Sequence, residues 1–191
     1  MRRINPRHME RLLSPERRQW HEPEMILDAL GAQAGMVVAD IGSGPGFFTL
    51  PMATRVGPAG KVFAIDVEPQ MLERLRERAA EAGVQNVEVL QSQEDSLPLP
   101  DGIIDAALMV NVLHESGKQA TLLREVLRIL RPGGSLVVVE WKKESSELGP
   151  PVEIRMASSE VALLLQQAGY EAIAPFPVGA HHHGSRARKP R

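Results

Sequence analysis

The chain has 191 residues, enough for one compact domain with short extensions, and its 43% apolar and 24% charged content is that of a globular protein rather than a disordered one. The net charge of −2 is uneven: residues 1–18 and 186–191 hold +8 between them, leaving −10 on the body, which argues against a general nucleic-acid-binding face there. There is no cysteine, hence no disulfide framework, no thiolate metal site and no cysteine nucleophile.

The basic ends read as solvated tails. The opening "MRRINPRHMERLL" lacks an apolar signal core, and no run approaches the roughly 18 apolar residues of a membrane span, so a cytoplasmic protein without a membrane partner is expected. In chain order, "SPERRQWHEPEMILDALG" predicts two short helices, one starting at Ser14 and Pro15, the other near Glu22 and Pro23 with its stop at Gly31. "GMVVADIG" predicts a buried strand and "FFTLPMATRVG" a helix. "KVFAIDV" is the second strand, followed by an amphipathic helix with Met71, Leu72, Leu75 and Ala79 on one side and Gly83 as its stop. "VEVLQ" and "IIDAALMV" are further strands, "KQATLLREVLRIL" is a helix closed by Pro132-Gly133-Gly134, and "SLVVVEW" is the fifth strand. After a polar loop, "SSEVALLLQQAG" predicts a capped helix, and two final strands, the last from about Ala180 to Lys189, pair as a hairpin. This alternation predicts an α/β domain with a mostly parallel sheet and helices on both faces.

Between the first strand and its helix sits "DIGSGPG", where open α/β sheets bind ligands. A dinucleotide site expects a glycine three residues after Gly44, but Phe47 stands there, and no Gly-Lys-Ser/Thr follows as a phosphate loop requires. Asp40 would repel a pyrophosphate, so a cationic or neutral ligand group is expected beside it. Asp66, twenty residues beyond Gly46 at the end of the second strand, can accept both hydroxyls of an adenosine ribose. A cation near Asp40 and a ribose at Asp66 describe S-adenosylmethionine (SAM). Taken alone, Asp66 also fits as a cap for the following helix.

"VADIGSGPG", "VFAIDVEPQML", "LPLPDGIIDAALMVNVLHE" and "EVLRILRPGGSLVVVEW" together resemble, in order, the motifs of class I SAM-dependent methyltransferases, close to the group that includes ubiquinone and menaquinone C-methyltransferases. The resemblance covers residues 36–141. It implies a Rossmann-like sandwich with a seven-stranded, mostly parallel sheet and a C-terminal antiparallel hairpin. Residues 1–31 would be a helical leader that can act as a lid, and 32–191 the SAM-binding domain. Asp40, Gly42, Ser43, Gly44 and Gly46 would surround the methionine end, with Asn111 near its amino acid. Asp66 would bind the ribose, and Val67 would lie beside the adenine. Gln93 and Glu94 fall where the family usually has an Asp that meets the adenine amine.

Methyl transfer is an in-line displacement at an activated carbon, so alignment supplies much of the acceleration. Where the acceptor must lose a proton, His114 and Glu115 are the candidate catalytic residues, His114 because it titrates near neutrality; a capping or loop role is the plainer reading of His114. Asp105 reads as structural. Trp20 and His21 read as a lid or an aromatic anchor, and Trp141 as lining or flooring the acceptor pocket. His181 to His183 are expected to be mostly exposed, with no metal site. The expected function is methyl transfer from SAM to a small-molecule acceptor, nucleic acid being disfavoured. The alternatives are a SAM-binding or sensing protein without transferase activity, and a methyltransferase acting on RNA or protein. The absence of cysteine disfavours arsenite as acceptor.

Overall fold

The computed structural model describes residues 9–14 and 21–191. The expected helix start at Pro15 and the lid residue Trp20 lie outside the described residues. After one helical turn, α1 (Met9–Leu12), helix α2 (Pro23–Leu30) begins with proline in its first turn and stops at Gly31, whose left-handed backbone returns its N–H to Asp28 and Leu27. Then come β1 (Val37–Ile41), α3 (Thr49–Val56), β2 (Lys61–Asp66), α4 (Pro69–Glu81), β3 (Val87–Gln91) and β4 (Ile104–Val110). Helix α5 (Gln119–Ile129), β5 (Leu130–Trp141), α6 (Ser158–Ala168), β6 (Glu171–Val178) and β7 (His182–Arg188) complete the chain.

The seven strands form one sheet in the order β3-β2-β1-β4-β5-β7-β6. The first five run parallel, and β7 is antiparallel to both β5 and β6. β1, β2, β4 and β5 read as apolar runs because both their faces are covered. On one side Ile41, Ile65, Met109 and Val138 meet Leu123 and Val126 of α5 and Leu165 of α6. On the other, Val38, Val62, Leu108 and Val139 meet Ile26 and Leu27 of α2 and Met52 of α3. Fully burying one such side chain stabilises by about 1.5–3 kcal/mol, so both layers hold the sheet firmly. The expected inward face of α4, Met71, Leu72, Leu75 and Ala79, is the buried one.

The structure corrects the sequence reading in two places. β5 begins at Leu130, before the Pro-Gly-Gly expected to precede it, because Leu130 already pairs with Ile104 ahead of an irregularity in the ladder. The stretch 181–183 is not mostly exposed: His182 has no exposed surface. It lies on β7, an interior strand flanked by β5 and β6, so a covering layer encloses one of its faces.

The topology also places the site. The chain starts mid-sheet at β1, moves outward through β2 and β3, then returns to β4 on the other side of β1. At this reversal the carboxyl ends of β1 and β4 are adjacent, with Ile41 opposite Met109, and connections leaving in opposite directions open a crevice between them.

Candidate active site

A cavity of about 840 Å³ occupies that crevice. It is lined by the turn after β1, the end of β2, residues 92–94, the segment after β4, Trp141 and the loop residues Leu148–Pro151. Of the residues singled out in the sequence, Asp40, Gly42, Ser43, Gly44, Asp66, Val67, Gln93, Glu94, Asn111, His114 and Glu115 all line it, as do His21 and Trp141. Gly46 is not among the lining residues.

The turn is tied to β2 by the Ile65 carbonyl, which accepts from the N–H groups of both Gly42 and Ser43 at 2.8 and 3.0 Å. Its glycines serve different ends. A Cβ at Gly42 would come within 2.4 Å of Val112, and one at Gly46 within 2.2 Å of Leu75, whereas one at Gly44 would meet nothing within 4 Å. Close protein packing demands the outer two, and only Gly44 turns a bare backbone to open space. Asp66 fixes Gly44 in place: its Oδ2 accepts the Gly44 N–H at 2.8 Å, and its Oδ1 accepts the N–H of Glu68, ahead of α4, at 2.9 Å. Asp66 does not cap α4: the N–H it accepts is that of Glu68, the N-cap residue itself, and no side chain caps this helix, while each carboxylate oxygen has a second lone pair to offer the cavity. Burial raises the Asp66 pKa against the lowering effect of the backbone N–H groups around it.

Asp40 is 3% exposed, and its Oδ2 accepts the Thr49 hydroxyl at 2.6 Å. Ser43 Oγ and Asn111 Oδ1 are buried and have no hydrogen-bond partner among the described residues. Such orphaned groups are rare in folded proteins and invite a ligand. Asn111 also has φ +60°, a conformation uncommon outside glycine and typical of functional positions. Glu94 is engaged locally, accepting from the Ser116 hydroxyl and the Gly117 N–H.

After β4, a 3-10 turn over Leu113–Glu115 presents His114. Its Nδ1 lies 2.6 Å from Glu140 Oε2, while Glu140 Oε1 accepts the Leu113 N–H at 2.8 Å. Glu140 has no exposed surface. With Nδ1 donating to this carboxylate, the lone pair resides on Nε2, which lies 3.9 Å from Glu115 Oε1. Burial, the largest influence on His114, opposes protonation, yet the Glu140 hydrogen bond and the charges of Glu140 and Glu115 outweigh it and raise the pKa. Burial pushes the Glu115 carboxyl up to about 7.

Trp141 and His21, which also line the cavity, belong to an aromatic cluster. Trp141 lies 4.0 Å centroid to centroid from His182, its antiparallel partner, and His182 lies 3.9 Å from His21, which also meets Phe47 and Phe48 edge-on. Arg155 braces the adjoining loop, donating to the carbonyls of Pro150, Glu144 and Leu148 and to the Ser146 hydroxyl at 2.5–2.9 Å, with its guanidinium over the Trp141 ring. Asp105 lies elsewhere, receiving the Val37 N–H and pairing with Arg131, the structural role expected of it.

Residues 32–169 match the family model of a methyltransferase domain. Over 98% of its length the chain superposes on all of a SAM-dependent methyltransferase from Aquifex aeolicus, with TM-score 0.94 and 35% identity. The chain belongs to the SAM-dependent methyltransferase family. It is also 36% identical over 123 residues to the ubiquinone/menaquinone biosynthesis C-methyltransferase UbiE of Pseudomonas fluorescens, a match of 64% of this chain and 48% of that protein. The chain therefore spans about half the length of the curated relatives it matches. A putative type 11 methyltransferase from Sulfolobus solfataricus, at 24% identity and TM-score 0.71, shares the fold. Within this methyltransferase fold, among the described residues, no helix is long and apolar enough to cross a membrane. Sequence reasoning missed Glu140 and Arg155 and took His182 as exposed; a lone acid inside the valine run "VVVEW" was the available signal for the first, since a buried charge needs a partner.

Proposed function

We propose that the cavity binds SAM and that the protein transfers its methyl group to a small, hydroxyl-bearing acceptor, at that oxygen or at a carbon it activates. The observation that carries this reading is the orphaned pair Ser43 Oγ and Asn111 Oδ1 in one cavity with the open Gly44 backbone and the carboxylates of Asp40 and Asp66. These groups fit a ligand with a cationic amino-acid end and a ribose. A phosphate is disfavoured by the two carboxylates. Asp40, Ser43, Gly44 and Asn111 would hold the methionine end, Asp66 the ribose hydroxyls, and Val67, Gln93 and Glu94 the adenine side. SAM supplies a methyl group already activated by its sulfonium.

His114 is the general base in this reading. Its Nε2 takes the acceptor's hydroxyl proton, and Glu140 fixes the tautomer and balances the imidazolium that results. The acceptor so deprotonated would be the nucleophile for the methyl group that bound SAM supplies, and methylation at a carbon would also release that carbon's own proton to solvent. Trp141 and the 148–151 loop flank the acceptor and exclude water. The division into a leader, residues 1–31, and a cofactor-binding domain, residues 32–191, belongs to the same reading and is supported by the range of the family match and by His21 lining the cavity. The UbiE relatives make hydroxylated rings the first acceptors to screen.

The test is transfer of labelled methyl from SAM to a panel of phenols, hydroquinones and amines. The expected result is a labelled product that His114→Ala abolishes while S-adenosylhomocysteine (SAH) still binds. Tight SAH binding with no transfer to any acceptor would favour a SAM-binding protein without transferase activity.

A further inference from the structure

Asn111 Nδ2 lies 3.3 Å from His21 Nε2 and 3.5 Å from His182 Nε2. The two imidazoles come from opposite ends of the chain, one just before α2 and the other at the start of β7, and both are buried, at 1% and 0% exposure. An amide can meet two such nitrogens in either of two orientations. With Nδ2 toward them, both Nε2 atoms are bare acceptors, each ring carries its proton on Nδ1, and Oδ1 turns to the ligand. Reversed, both Nε2 atoms carry hydrogens and the amide presents its NH₂ to the ligand.

The charge of the cavity favours the first. The carboxylates of Asp40 and Asp66 line the same cavity, so a cationic ligand group is the one it attracts. An NH₂ would set donor against donor there, whereas Oδ1 accepts. We propose that His21 and His182 are positioning residues that hold the Asn111 amide with Oδ1 toward the cavity, and that this acceptor selects the ammonium of the bound nucleoside. The left-handed backbone at Asn111 is then the cost of placing a short amide between two rings and the ligand. The proposal rests on the SAM reading above. It adds that the amino-terminal segment and the carboxyl-terminal hairpin jointly set the polarity of one cofactor contact.

The experiment has two parts. Long-range proton–nitrogen correlation on the full protein labelled with ¹⁵N-histidine reads the tautomers directly, and the expected result is Nδ1–H with bare Nε2 for both His21 and His182. Calorimetry then compares SAH with 5′-methylthioadenosine, which shares the adenosine and thioether but has no amino acid. Each of His21→Phe and His182→Phe keeps a ring in the aromatic cluster and should weaken SAH about tenfold, leaving methylthioadenosine nearly unchanged. Nε2–H on either ring in the wild type would overturn the proposal, as would Phe variants that weaken both nucleosides equally, the mark of a merely structural role. Where a Phe variant fails to fold, the wild-type spectrum still decides. A wild type that binds neither nucleoside sinks the SAM reading instead, and the tautomers then test the imidazole assignment separately.

Discussion

Glu140 Oε2 lies 2.6 Å from His114 Nδ1, and the same carboxylate's other oxygen accepts the Leu113 backbone N–H. The second bond fixes the carboxylate, and the first fixes the ring. In Glu140→Gln, the amide oxygen can keep the Leu113 bond, but the NH₂ then faces His114 Nδ1 and favours the tautomer protonated at Nε2, which cannot accept a proton. The expected outcome is a fall in kcat of about 10³-fold, with SAH affinity unchanged in calorimetry.

The pH profile should carry the mark of this pair. A general base must be neutral, and His114 titrates above its usual 6.5, so activity should fall as pH drops through that raised pKa. The Glu115 charge helps to raise it, so Glu115→Gln should move the acid limb to lower pH, as read from kcat/KM against pH. For stability the sign is the opposite. A raised folded-state pKa contributes stability that is fully present below the unfolded value and is lost as pH rises through the folded one. The His114 contribution therefore fades above pH 6.5, and that of Glu115 fades between pH 4.5 and about 7. Denaturant midpoints across that range should show both losses in the wild type and neither in the double variant His114→Gln, Glu115→Gln.

The glycines separate stability from binding. Gly46→Ala forces a methyl against the fully buried Leu75 at φ +87° and should cost about 2–4 kcal/mol. Gly44→Ala, at φ +51° with open space around it, should cost about 1 kcal/mol while weakening SAH clearly more than Gly46→Ala does. Thermal melts and calorimetry on the two variants check the contrast.

Arg155 should govern the loop beside the acceptor pocket. It is 4% exposed and bonds three carbonyls and a hydroxyl between Glu144 and Pro150 at 2.5–2.9 Å. Arg155→Ala should speed hydrogen exchange across 144–150 and lower stability by about 2 kcal/mol. Lysine should restore only part of this, because an ammonium has three donors and no planar fork. SAH binding should be unaffected.

Much of this architecture was legible in the sequence because it is written locally. β1, β2, β4 and the second half of β5 are short apolar runs punctuated by glycine and proline, and the glycine turn with Asp40 and Asp66 sits at strand ends, where side chains face a crevice. What was not legible depends on sheet order. "HHHGSRAR" reads as an exposed edge until β7 is seen between β5 and β6, which buries His182 and pairs it with Trp141. Glu140 is read as a strand residue, and its meaning appears only when β4 and β5 lie side by side and bring His114 to it. Arg155 was silent for the same reason, since its partners are carbonyls, which carry no side-chain signature. Even the glycines were half legible: their spacing marked the site, but only the contacts with Val112 and Leu75 separate the packing glycines from the one that faces open space.

The central claim is that this cavity holds SAM through Asp66 and the turn it secures. Calorimetric titration of the purified protein with SAH, with NAD and ATP as controls and Asp66→Ala as the variant, tests it most directly. The account predicts binding of SAH with neither control binding, and a loss of about tenfold or more in the variant, which frees the Gly44 and Glu68 N–H groups as well as the ribose. Binding of NAD without SAH would contradict it.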